Sequence, residues 1–253
     1  PSDEELKDAP HHFIASHSIT ENINAAFFEK YALQKTNELF KNHDIVIMVG
    51  GTGLYIKALC EALDEIPAID ESIRKKIIDS YEMHGLGWLQ EEIKIKDPAF
   101  YRCGEIQNPQ RMMRALEVVD STGQSILSFR NKEKAKRDFR IIKIGLELPK
   151  EELHANINLR VDKMINDGLV EEVNSLSGYR DVNALQTVGY SEIFEHLDGK
   201  MSLEGAIEEI KKTTRQYARR QMTWFKKDKE INWVNAKQIR EIVSMAQKLV
   251  QGD

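Results

Sequence analysis

The sequence predicts an α/β protein whose parallel-sheet core is interrupted by a helical insertion. Three observations carry that expectation. The β-branched run Ile45-Val46-Ile47-Met48-Val49 leads straight into Gly50-Gly51-Thr52-Gly53 and a helical pattern, the order of a buried strand, a glycine turn and a crossover helix. From Asp64 to Asp138 no β-branched strand run occurs, and helical patterns follow one another. Strand and helix patterns then resume at Phe139 and alternate towards the C-terminus. The expected division is core residues 1–68, insertion 69–138, and core 139–253.

In chain order, Pro1 to Ile19 is polar and expected to be irregular. Its His11, His12 and His17 invite a metal reading, which needs further ligands at suitable spacing; solvated or packing histidines are the plainer alternative. His84, His154 and His196 read as structural. Ala25 to Phe40 is a helix with Phe27, Tyr31, Leu39 and Phe40 at helical spacing. After the strand and the glycine turn, Leu54 to Leu59 opens a second helix. Its backbone N–H groups would face outward at the carboxyl end of the strand, where open α/β sheets bind ligands; an ordinary tight turn is the alternative.

The insertion reads as helices Ser72 to His84, Trp88 to Lys96 and Pro109 to Thr122. The third is the best marked, with Asn108 as N-cap, Pro109 at the first helical position and Gly123 just past the end. Asn131 to Arg140 is a charged hinge back to a strand at Phe139 to Leu146. Helices are then expected at Glu151 to Asn166, Leu169 to Leu176, Leu203 to about Lys227 behind a Ser202 cap, and Ala236 to Val250, with a short strand at Ile231 to Val234.

Composition narrows the function classes. With 253 residues, 41% apolar and 30% charged, the chain is long and apolar enough for a sizeable core. No apolar run approaches the ~20 residues that span a bilayer. A net charge of −5 gives no global attraction to nucleic acid, so such a site must be a local patch. Cys60 and Cys103 cannot build a disulfide framework or a cysteine-based zinc site, and a reducing cytoplasm is the expected location. The chain opens at Pro1 without a charged-then-apolar leader.

Two basic features stand out. The long helix carries Lys211, Arg215 and Arg219 four residues apart, with Lys212 and Arg220 beside them, opposite a stripe of Ile207, Ile210, Thr214, Tyr217 and Phe225. Between Gly205 and Lys229 eight basic residues meet three acidic ones, a ridge on which a polyanion could dock, or a solvated helix face. Arg111 and Arg114, with Gln110, lie one turn apart and could present two guanidinium forks to phosphate or bases, or pair with Glu117 and Asp120. The phosphate cradle G-x-x-x-x-G-K-[ST] is absent: Gly199-Lys200 has Phe194 and Met201 at the other positions.

Four ordered segments, Val49-Gly50-Gly51-Thr52-Gly53-Leu54-Tyr55, Asn108-Pro109-Gln110-Arg111-Met112-Met113-Arg114-Ala115-Leu116-Glu117-Val118, Val188-Gly189-Tyr190 and Thr213-Thr214-Arg215-Gln216-Tyr217-Ala218-Arg219-Arg220-Gln221-Met222-Thr223-Trp224-Phe225, together resemble the bacterial tRNA dimethylallyltransferase family. The resemblance implies a P-loop-type α/β core with a helical insertion that grips the tRNA anticodon stem-loop. It implies transfer of a dimethylallyl group from dimethylallyl diphosphate to N6 of the adenine 3′ to the anticodon in tRNAs reading U-starting codons. Magnesium is implied as a cofactor, and a monomer with no membrane attachment is expected.

By position, Thr52 matches the family threonine at the adenine N6 and Arg215 the arginine that holds the departing diphosphate. Family positions that contact tRNA match Arg74, Gln110, Arg111, Met112, Met113, Arg114, Gln186, Thr187, Val188, Gly189, Tyr190 and Ser191, and Arg219, Arg220, Gln221, Met222, Thr223, Trp224, Phe225 and Lys226. The family's P-loop and the Asp-Ser-x-Gln motif with its general-base aspartate do not occur in this sequence. An N-terminal segment bearing them is therefore expected to precede Pro1, and the polypeptide alone is expected not to turn over. The alternatives are an adenylate isopentenyltransferase acting on free AMP and a non-catalytic RNA-binding protein; the helical insertion and the basic ridge favour tRNA over a free nucleotide.

Overall fold

In a computed structural model, residues 3–130 and 135–252 are described. The chain forms two compact units, one of Pro1–Leu59 with Asp138–Asp253, the other of Cys60–Arg137. The first boundary thus falls at Leu59/Cys60, earlier than the 68/69 boundary expected from sequence. The stretch after the glycine-turn helix belongs to the insertion because its entry and exit run together: Ala135 N–H donates to the Glu61 carbonyl at 3.0 Å.

The larger unit begins with α1 (Asp3–Asp8), a short helix in a stretch expected to be irregular. α2 (Ala25–Leu39) starts where Asn24 leaves the helix with extended backbone and accepts from Phe27 N–H at 2.9 Å, a cap that contributes about 1 kcal/mol. His17 is a packing residue, its ring 5.2 Å from Phe27 and 5.5 Å from Tyr31.

The expected strand Ile45–Val49 is not formed. Ile47 is 80% and Val49 89% exposed, and the backbone carries no ladder. Extended chain becomes a strand only when neighbours take its N–H and C=O groups, and among the described residues the sole ladder joins β1 (Ile144–Glu147) to β2 (Asn232–Asn235). That pair is parallel, with Gly145 opposite Trp233. A Cβ on Gly145 would come within 2.7 Å of the Trp233 ring, so glycine is what lets the indole lie on the strand. The strand expected from Phe139 is shorter than its apolar pattern, because β2 faces only its last part.

Helices α3 (Gly53–Glu61), α7 (Lys150–Asn166), α8 (Leu169–Ser175), α9 (Tyr190–Leu197), α10 (Leu203–Phe225) and α11 (Ile239–Gln251) complete the larger unit, with the last residues of α3 crossing into the smaller one. Its core is helical: Val161 of α7, Leu169 and Val173 of α8, Ile193 and Phe194 of α9, and Ala206 and Ile210 of α10 pack together. Ser202 Oγ accepts from Gly205 N–H at 3.1 Å and starts α10 as its sequence indicates.

The insertion unit is built on α4 (Glu71–Lys96), α5 (Pro98–Cys103) and α6 (Pro109–Thr122). The two helices expected before and after residues 85–87 are the two arms of α4, which bends at Gly85 (φ 72°, ψ −166°), a conformation that L side chains disfavour. α5 was not legible as a separate element; it is fixed by Asp97, buried, whose carboxylate accepts from Phe100 N–H at 2.9 Å and from Ser125 Oγ at 2.8 Å. α6 has the expected caps, with Asn108 accepting from Arg111 N–H at 3.2 Å and Gly123 left-handed at φ 69°. Ile77, Leu89, Ile93, Phe100, Met112 and Leu116 form its core. Residues 131–134 of the expected charged hinge lie outside the described residues.

Candidate functional site

In the larger unit the site is assembled by α10 reaching to the glycine turn. Gln221 Nε2 donates to the Gly51 carbonyl at 2.9 Å. A Cβ on Gly53 would sit 2.4 Å from Trp224 Nε1, and one on Gly51 2.1 Å from Gln221 Nε2, so both glycines are set by the approach of this helix. Between them Thr52 is exposed, and its carbonyl accepts from Tyr55 and Ile56 N–H at 2.9 and 3.1 Å, starting α3. Tyr55 in turn stacks on Phe28 of α2, centroids 4.8 Å apart, which fixes the first turn of α3 from the other side.

Arg215 is half-buried on α10, and its Nη1 donates to Asn158 Oδ1 of α7 at 2.7 Å. The expected basic ridge is less uniform than its sequence. Lys211 is bound to Asp162 at 2.8 Å and Glu208 at 3.0 Å, and Lys212 to Glu209 at 2.9 Å. Donating to Asp162 first, then to Glu208, holds the pKa of the Lys211 ammonium above its ordinary range. Lys226 bonds Glu147 at 2.6 Å and lies 4.1 Å from the Trp233 ring centroid, pinning the end of α10 to the sheet. Among the described residues, the arginines of α10, Arg215, Arg219 and Arg220, have no carboxylate partner, the last lying over Tyr217 at 5.7 Å.

The other ridge positions divide between surface and packing. Thr223 Oγ1 bonds back to the Arg219 carbonyl at 3.0 Å, and Met222 and Phe225 are half-buried. Gln186 to Ser191 form the entry to α9. There Gln186 Nε2 donates to the Arg180 carbonyl at 2.7 Å and the Thr187 carbonyl accepts from Tyr190 and Ser191 N–H at 3.2 and 3.1 Å. Val188 packs against the core, and buried Glu192 accepts from Gly189 N–H at 2.8 Å. The Tyr190 hydroxyl donates to Glu172, and burial first, then that bond, pushes its pKa up to about 12.

In the insertion unit Arg74, Gln110, Met113 and Arg114 line one depression of about 240 Å³ with Glu117 in its wall. Glu117 is 5% exposed and takes both arginines: Arg74 Nε and Nη2 at 3.1 and 3.2 Å, and Arg114 Nη1 at 2.9 Å. The bond to Glu117 raises the Arg74 pKa against the opposing pull of burial. Two guanidiniums thus share one carboxylate, leaving net positive charge and spare N–H donors at the rim. Arg111 is paired with Glu105, both exposed. Asp120, weighed as an arginine partner, instead holds Lys96 at 3.0 Å. Met112 is 0% exposed and is a core residue, without surface to offer a ligand.

Comparison with known proteins decides the family. The model of the IPP transferase family matches residues 1–228. The chain belongs to the IPP transferase family. It is 41% identical over 99% of its length to tRNA dimethylallyltransferase 1 of Bacteroides fragilis, covering 83% of that protein. It is 47% identical over 92% of its length to tRNA dimethylallyltransferase of Christiangramia forsetii, covering 77% of that protein. In structure it is similar to the full-length tRNA isopentenylpyrophosphate transferase of Bacillus halodurans, with a TM-score of 0.69, 28% identity, and coverage of 99% of this chain and 80% of that one. The fold is thus the P-loop-like α/β fold of these enzymes. The IPP transferase signature was legible because it rests on local motifs. Asn158, Glu105 and Glu147 carried no signal, since each acts on a residue far away or in another element.

Proposed function

We propose that this IPP transferase moves a dimethylallyl group from dimethylallyl diphosphate to N6 of the adenine 3′ to the anticodon in tRNAs reading U-starting codons. The N6 lone pair forms a bond to C1 of the prenyl chain, the C1–O bond breaks, its electron pair leaves with pyrophosphate, and N6 gives up a proton to a general base, which the family resemblance assigns to the aspartate of the Asp-Ser-x-Gln motif that does not occur in this sequence. Thr52 would accept a hydrogen bond from the N6 amine. Its side chain is exposed and has no hydrogen-bond partner among the described residues. Arg215 would neutralise the charge growing on the leaving group, a preorganised contribution of the kind that dominates such transfers.

The observation that carries this reading is that one helix supplies both parts. α10 grips the turn around Thr52 through Gln221 and Trp224, and presents Arg215 with no carboxylate partner among the described residues. The adenine would have to leave its stack to reach such a turn. Arg74, Arg114 and Gln110 in the insertion, and Arg219 and Arg220 on α10, would meet RNA phosphates and make binding salt-sensitive.

Magnesium is implied by the family resemblance as a companion of the diphosphate. Among the described residues no group of three or more His, Cys, Asp or Glu could hold a metal ion. Among the described residues no helix is long and apolar enough to cross a membrane. A cytoplasmic monomer is the proposed working state. The test is Arg215→Ala in the full-length protein: prenyl transfer is expected to fall by about 10²–10³ with tRNA affinity nearly kept. An equal loss of both would make Arg215 an RNA contact only.

A further inference from the structure

Helices α7 and α10 run in opposite chain directions and are joined by two rungs. Asp162 meets Lys211 at 2.8 Å, and one turn along each helix Asn158 meets Arg215 at 2.7 Å. The first rung is an ion pair; the second sets a cation against a neutral amide. Elsewhere on α10 Lys211 and Lys212 are compensated by carboxylates, whereas Arg219 and Arg220, like Arg215, have none among the described residues; what sets Arg215 apart from those two is a side-chain hydrogen bond to another helix. An aspartate at 158 would bind the guanidinium more strongly and strengthen the helix contact, but it would cancel the charge. An amide oxygen instead fixes the orientation of Nη1 and leaves the other N–H donors and the full charge free.

We propose that Asn158 is a positioning residue, holding the Arg215 guanidinium in place while keeping its positive charge available to a diphosphate. This rests on Arg215 being the diphosphate-binding group. A prenyl diphosphate and an RNA phosphate share this chemistry, so the two are measured separately.

The experiment titrates inorganic pyrophosphate by calorimetry, and unmodified tRNA by filter binding, into full-length wild-type protein and the variants Asn158→Asp, Asn158→Ala and Arg215→Ala. Melting temperatures are recorded alongside. Asn158→Asp is expected to weaken pyrophosphate binding by about tenfold or more, approaching Arg215→Ala, without lowering the melting temperature, because the new ion pair ties the same helices. Asn158→Ala is expected to weaken it by less, since the charge survives but its orientation does not. Affinity for tRNA is expected to stay within about twofold throughout the Asn158 pair. Wild-type pyrophosphate affinity in Asn158→Asp, with affinity lost in Arg215→Ala, would overturn the role of Asn158 alone. Unchanged affinity in Arg215→Ala would overturn both this role and the reading of Arg215. An equal loss of tRNA and pyrophosphate in Asn158→Asp would mean that Asn158 orients an RNA contact, which also contradicts the proposal.

Discussion

The amide of Gln221 donates from Nε2 to the Gly51 carbonyl at 2.9 Å, joining residues 170 positions apart and tying the C-terminal half of α10 to the glycine turn. With Trp224 against Gly53, that bond makes the placement of Thr52 depend on a helix whose other residues include Arg215. The tRNA-facing positions implied by family resemblance at Gln221 and Trp224 are therefore also internal braces.

Gly53→Ala follows directly. Its Cβ would lie 2.4 Å from Trp224 Nε1, so the indole must move, and at 40% exposure the ring can swing outward only by releasing the turn. A destabilisation of about 1–3 kcal/mol is expected from thermal melts, with a loss of prenyl transfer beyond the loss of tRNA binding. Gly50→Ala is the control, since nothing lies within 4 Å of its Cβ position, and it is expected to melt like wild type.

Glu117→Ala leaves Arg74 and Arg114 without their shared carboxylate. Both arginines are partly solvated, so water recovers part of the loss, and about 1–3 kcal/mol of stability is expected to go, measured by urea denaturation. Binding of tRNA is expected to weaken as the two guanidiniums lose their common orientation, read by filter binding.

Arg111→Ala tests the surface pair with Glu105. Both side chains are exposed, so exchanging a carboxylate for an RNA phosphate costs little. The variant is expected to weaken tRNA binding and to reduce the slope of log affinity against log salt by about one phosphate contact. Identical slopes for variant and wild type would remove Arg111 from the interface.

Tyr190 gives a pH signature. Its folded pKa is raised from 10.0 to about 12 by burial and by its bond to Glu172. A raised pKa means that its stabilising contribution is present below the unfolded value and is lost as pH climbs from about 10 to about 12. The stability gap between wild type and Tyr190→Phe is therefore expected to narrow over that window, followed by denaturant melts at each pH.

The sequence spoke most clearly where structure is local. Asn108, Pro109 and Gly123 delimit α6 without help from the rest of the chain, and Ser202 does the same for α10. It misled where an element needs distant partners: Ile45 to Val49 has a strand's composition, yet no neighbouring strand among the described residues takes its hydrogen bonds. The same division holds at the site. Thr52 and Arg215 sit in recognisable motifs, whereas Asn158 is an unremarkable helix residue until α7 and α10 are packed together. Charge counting along α10 also overstated the ridge, because it could not see Asp162 or Glu147 arriving from other elements.

The most direct test of the account is nucleoside mass spectrometry after incubating the full-length protein with dimethylallyl diphosphate, magnesium and either unmodified tRNA or free AMP. A dimethylallyl mass gain on tRNA adenosine and none on AMP is expected. A gain on AMP, or tRNA bound without any gain, would contradict it.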